Sequence, residues 1–263
     1  MSRPFNLRRF GLVLQLHLSE HIRSYLLGVG VLFGVWIIML APSTARTTHF
    51  SENVYRFHGI LFSFLFGGSG AWFASEIFRV VSSPIRGIPH LMLPASQLEK
   101  YLVGLLMLFL FVLVFISVFY TVEGICFSII NAQVPAAEPR YALLNLMGPA
   151  IPFDLRYLSW LTPSFFLLGS IYFAKSAFIK TSAIGFLLYF FIIFLNELLI
   201  LQLFPQRVHY GNTPFSEVFF QQNGRRYDLE LTGLPKLIIT TVLLLLPPSL
   251  WLIAYVRYKE KQL

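Results

Sequence analysis

Three places in this chain carry residue types that could do chemistry. The first is Gly67-Gly68-Ser69-Gly70, a serine set among glycines. A nucleophilic serine needs a general base within hydrogen-bond reach. The six histidines are His17, His21, His49, His58, His90 and His209, and only His58 lies near an apolar run. Eleven residues of helix between His58 and Ser69 span about 16 Å, too far for proton transfer. The expected role of Gly67, Gly68 and Gly70 is therefore close helix approach through small residues. The second place is Asn196-Glu197, inside the apolar run Ala183–Phe204. An ionised carboxylate at the centre of a spanning helix costs about 2.5–3.5 kcal/mol on insertion scales, so Glu197 with Asn196 is a candidate for a substrate path or outer gate. It could also pair with Arg207 or Lys236, or merely satisfy a neighbouring helix. Glu123, at the end of another apolar run, reads as interfacial. The third place is Ser82–Lys100, where Pro94-Ala95-Ser96-Gln97-Leu98-Glu99-Lys100 forms a helix start with capping-box spacing from Ser96 to Glu99. Such a segment could receive a push from a partner, or could simply cap the span that follows.

Other chemistries are excluded by motif. The chain has no HExxH, no carboxylates paired at catalytic spacing and no histidine cluster, so no metal centre is expected. No lysine follows any glycine pair as a phosphate-binding loop requires. The chain is expected to be no enzyme, to hydrolyse no nucleotide by itself and to bind no cofactor of its own. Its one cysteine, Cys126, excludes a disulfide framework.

The elements that must position these residues follow from composition. The chain has 263 residues, 56% of them apolar and only 12% charged, with mean hydropathy +0.70. Soluble domains carry about 25% charged residues. A soluble enzyme, a disordered chain and a nucleic-acid module are excluded, and lipid is the expected solvent. Runs near the roughly 20 residues needed to span a bilayer occur at 25–41, 57–76, 101–122, 157–174, 183–204 and 237–256. Glycines interrupt the second, Pro163 the fourth and Pro247-Pro248 the sixth. With both termini cytoplasmic, 12 basic and 4 acidic residues fall inside, against 8 and 8 elsewhere, so the whole formal charge of +8 sits on one face. That is the positive-inside asymmetry, and it removes the need for a nucleic-acid partner.

Ahead of the first span, Leu7, Phe10, Leu14, Leu18, Ile22 and Leu26 form a stripe at helical spacing. This predicts an amphipathic interfacial helix over 5–24 that turns into the first span; the alternative is a cytoplasmic extension of that span. The segment is not expected to be a cleaved signal peptide. The loops 123–156 and 205–236 are long, with turn chemistry that could hold a short helix or hairpin. The expected fold is a single all-α membrane domain over 1–263, with six spans and both ends inside.

The interfacial helix, the six spans and Leu93-Pro94-Ala95-Ser96-Gln97-Leu98-Glu99-Lys100-Tyr101-Leu102 together resemble the ABC-2-type transporter permeases of bacteria. In that family the loop commonly reads Leu-Pro-x-Ser-x-x-Glu-Lys and engages an ATPase. Leu168–Phe173 and the basic stretch to Lys180-Thr181 also resemble the family's fourth span and short loop. The resemblance covers nearly the whole chain in topology and about twenty residues in motif. It implies a homodimeric permease in the bacterial inner membrane, contacting lipid and exporting an unidentified substrate by alternating access. Separate cytoplasmic ATPase subunits would hold ATP and Mg. Arg86, Pro94, Ser96, Glu99 and Lys100 would be the ATPase-coupling loop. The loop 123–156 is longer than the family pattern, which bears on the outer gate. The rival readings are an ion-coupled secondary transporter, disfavoured by a single intramembrane Glu and no repeat, and a non-transporting scaffold. Gly-x-Ser-Gly is shared with rhomboid-type proteases, whose serine lies in a later span.

Overall fold

A computed structural model describes residues 5–79, 94–173, 175–203, 217–222, 225–230 and 233–261. Among the described residues there are six helices: α1 (Leu7–Arg46), α2 (Glu52–Ile77), α3 (Gln97–Gln133), α4 (Phe153–Tyr172), α5 (Ala177–Leu203) and α6 (Leu234–Lys261). Between α5 and α6 lies one antiparallel hairpin of β1 (Glu217–Gln222) and β2 (Arg225–Glu230), with Phe220 opposite Tyr227. The all-α expectation is corrected to that extent, in a segment whose turn chemistry allowed a hairpin.

Five helices are long and apolar enough to cross a membrane, and α4 is not among them. It has 20 residues, with Asp154 in its first turn and Pro163 inside. Yet α4 packs against α2, α5 and α6 and buries Ser159, Ser164 and Ser170 alongside Phe166, Leu167 and Ile171. Its polarity is tolerable because neighbouring helices, not lipid, surround it. The converse holds for α5, which is apolar on all sides and exposes Phe186, Leu187, Phe190, Phe191 and Phe194. Such exposure in a lone chain is the mark of a surface meant for lipid or protein. The molecule thus reads as a multi-pass helical membrane protein.

The separate interfacial helix is not found. α1 runs 40 residues without interruption, because nothing between Leu7 and Arg46 breaks the backbone ladder except Pro42 near its end. Asn6 contacts Glu99, while Trp36 packs on Phe115. Those partners are about 45 Å apart along α1 but about 24 Å apart along α3. α1 thus meets α3 at two well-separated levels, its start at Glu99 and its later half at Phe115 and Phe119. Helix ends also lie beyond the apolar runs: α2 starts at Glu52 behind an Ser51 cap, and α3 continues to Gln133.

The core is aromatic. Trp36 (α1), Phe62 and Phe66 (α2), and Phe115 and Phe119 (α3) interlock with ring centroids 4.8–5.8 Å apart, in the offset and edge-on geometries that aromatic quadrupoles favour. A second cluster joins Phe78, Tyr101, Phe166 and Tyr258. The starts of α1 and α3 and the ends of α2 and α6 thus meet at one end of the bundle. At the other end, Val134–Pro152 folds back as a cap.

Candidate functional site

The residues expected to form a coupling loop lie at and just ahead of the start of α3, apart from Arg86, which lies outside the described residues. Ser96 is the N-cap: its hydroxyl accepts from Glu99 N–H at 3.2 Å, and its own N–H donates to Glu99 Oε2 at 2.7 Å. The capping box is complete. Glu99 does more than close it. Its Oε1 accepts from Asn6 N–H at 2.7 Å and from the Arg9 guanidinium at 3.1 Å. Asn6 is itself the N-cap of α1, its side chain accepting from Arg8 N–H at 2.9 Å. One fully buried carboxylate therefore receives the N–H groups of the cap residues of two helices, at the positive ends of both macrodipoles. Lys100 is also buried, and Pro94 stands exposed just ahead of the cap.

This geometry alters the role Glu99 can play. With no exposed surface, Glu99 cannot itself meet a docking partner. It ties the start of the first helix to the start of the third. Arg9, 29% exposed, is the outer face of the clamp.

Gly67 and Gly70 lie buried against α4, with a Cβ on Gly70 falling 2.7 Å from Pro163 Cγ, while Gly68 faces open space. Ser69 donates its hydroxyl to Leu65 O of its own helix. Asn196 is half-buried and Glu197 exposed on α5. They are not brought near the Glu99 clamp.

The structure corrects the interfacial reading of Glu123. It is fully buried, with Oε1 3.2 Å from His58 Nδ1 and Oε2 accepting from Leu144 N–H of the cap at 3.0 Å. His58 stacks on Phe127 with centroids 5.0 Å apart. A signal for this pair exists in the sequence: His58, Phe62 and Phe66 recur every four residues, as do Phe115, Phe119 and Glu123, so each polar residue continues a core stripe. Among the described residues no group of three metal-ligating side chains occurs. Comparison with protein-family models, with curated proteins and with solved structures gives no match.

Proposed function

We propose that this chain is the membrane-spanning permease subunit of an ATP-driven exporter, paired with a second copy and worked by a separate cytoplasmic ATPase. The observation that carries the reading is the Glu99 clamp, which joins α1 and α3 through one buried carboxylate. A subunit driven from outside needs such a rigid junction where the push arrives. The helical bundle and the lack of a nucleotide motif in the chain fit a division of labour between channel and motor. In this reading both termini are cytoplasmic, Arg86–Lys100 receives the ATPase, and α1 and α3 move together during alternating access. Asn196 and Glu197 lie on the substrate path or outer gate.

The test is a mild-detergent pull-down of the tagged protein from its native membrane with mass spectrometry of what co-purifies. A stoichiometric soluble protein bearing a phosphate-binding loop supports the reading. A clean preparation at several detergent strengths overturns it and leaves a secondary transporter or a scaffold. Once a substrate is in hand, Glu197→Gln with unchanged transport removes Glu197 from the path.

A further inference from the structure

The hairpin between α5 and α6 is not self-sufficient. Among the described residues β1 and β2 are the whole sheet, and no helix packs on them as the helices pack on one another. An isolated two-stranded ribbon is marginally stable at best in water. This one also sets Glu217 directly opposite Glu230, a like-charge pair that costs stability.

Its register says what completes it. Gln222 and Arg225 are paired across only two residues, so they form the hydrogen-bonded pair that closes the ribbon. Hydrogen-bonded and open pairs alternate from there, which turns the backbone N–H and C=O groups of Arg226, Asp228 and Glu230 away from β1. Within the ribbon Arg226 stands opposite Gln221 and Asp228 opposite Phe219, so neither charge meets its opposite across the strands.

We propose that the outer edge of β2 pairs antiparallel with β2 of a second copy, making one four-stranded sheet across a two-fold axis at Tyr227. In that register Arg226 lies opposite Asp228 of the second copy, and Asp228 opposite its Arg226. Both pairs join residues whose backbone groups already face outward, so each exchanges two hydrogen bonds. Centring the axis on Arg226 or on Asp228 instead sets that residue against its own copy, like charge on like. An axis between residues brings the polar face of one copy beside the apolar face of the other. The outward positions of β1 are Glu217, Phe219 and Gln221, which hold no opposite charges for self-pairing. Pairing β1 with β2 of another copy does not close, and propagates.

A two-fold axis relating antiparallel strands stands perpendicular to their sheet. Two copies inserted the same way up share an axis along the membrane normal, so the sheet lies flat on the membrane surface. Its faces differ as that position demands. Strand alternation puts Val218, Phe220, Tyr227 and Leu229 on one face, toward lipid. The other face, toward water, carries Glu217, Arg226, Asp228 and Glu230, with Phe219 the one aromatic among them. The pairing rests on the second copy of the proposed function, and not on its ATPase or its substrate.

The experiment is disulfide cross-linking of the full chain in its native membrane, with single cysteines placed in a Cys126→Ser background. At the axis, Tyr227→Cys sets two Cα atoms about 4.5 Å apart, within disulfide range. Arg226→Cys and Asp228→Cys leave theirs about 8 Å apart, beyond it. Tyr227→Cys should therefore cross-link about tenfold faster than either neighbour. With Tyr227→Cys in place, Arg226→Asp or Asp228→Arg should slow the cross-link about tenfold, and the two together should restore it. Equal rates at the three positions, or a charge-swapped double variant as slow as the single ones, overturn the inference. The mass of the unmodified complex in mild detergent tells two failures apart. A dimer that gives no product at position 227 removes the hairpin pairing alone, and a monomer removes the second copy as well.

Discussion

Replacing Glu99 with Gln changes one oxygen to an amide NH2 and nothing else in shape. In the clamp, both carboxylate oxygens already face N–H donors: Asn6 and Arg9 on one, Ser96 on the other. Whichever way the amide turns, one donor then meets another donor. A buried donor left unpaired costs about 1–3 kcal/mol. The bonds that survive fall from charge-assisted to neutral strength, adding about 1 kcal/mol. Together these come to about 2–4 kcal/mol, with water reaching the partly exposed Arg9 favouring the lower end. At about 2–3 °C per kcal/mol for a chain of this size, Tm in detergent should fall by about 4–12 °C. Ser96→Ala removes a single cap bond and should cost about 1 kcal/mol. The clamp also makes a geometric claim, testable by cysteine cross-linking between positions 6 and 96 in a Cys126→Ser background: Glu99→Gln should slow cross-linking severalfold. If Glu99→Gln shifts Tm no more than Ser96→Ala and leaves cross-linking unchanged, the carboxylate does not join the two helices.

The glycines of α2 should separate by sign. Gly70→Ala drives a Cβ into the Pro163 ring, which cannot swing aside, and should destabilise by about 1–3 kcal/mol. Gly68→Ala meets open space and should stabilise by up to about 1 kcal/mol through helix propensity; equal shifts in detergent melts would refute the packing account. At the cap, the hydrogen bond from His49, then that from Phe50 N–H, holds the Glu138 carboxyl below its ordinary value of 4.5. A depressed carboxyl adds stability above that ordinary value and loses it as pH falls through the folded one. Normalised hydrogen exchange at the Phe50 amide should therefore accelerate below about pH 4.5, and Glu138→Gln should abolish the change. Glu197→Leu removes an exposed carboxylate from an apolar helix, so insertion of α5 in a translocon assay should improve by about 2.5–3.5 kcal/mol; no improvement would mean that Glu197 already reaches water or a protein partner.

What the sequence reveals is what is local. The Ser96–Glu99 capping box spans three residues and could be read directly. The two other donors to Glu99 sit ninety or more positions away, and nothing in the periodicity of 97–133 announces them. The apolar runs locate helix interiors well but not ends, because Ser51 caps α2 and Arg140 reaches back to the Asn131 and Val134 carbonyls ending α3. The expected turn near residue 24 fails for a related reason. Amphipathic spacing does not distinguish a helix that stops at an interface from one that continues, and no glycine pair or proline marks a stop there. Glu123 stands at the end of an apolar run and so reads as interfacial, although its spacing from Phe115 and Phe119 puts it on the core face, where it is buried.

The order of helices along the chain has a consequence for how the protein is made. α4 is the one described helix not long and apolar enough to cross a membrane, yet in the finished bundle it packs against α2, α5 and α6. A segment carrying Asp154, Arg156, Pro163 and several serines gains little by partitioning alone from a translocon into hydrocarbon. It gains more by entering against a surface already shaped for it, and α2, with Gly67 and Gly70 turned toward α4, has left the ribosome long before. Biogenesis of this chain is thus a templated event, in which α2 must be retained beside the translocon until α4 arrives. Damage to the α2 groove should then surface as degradation of nascent protein rather than as a weakened mature one.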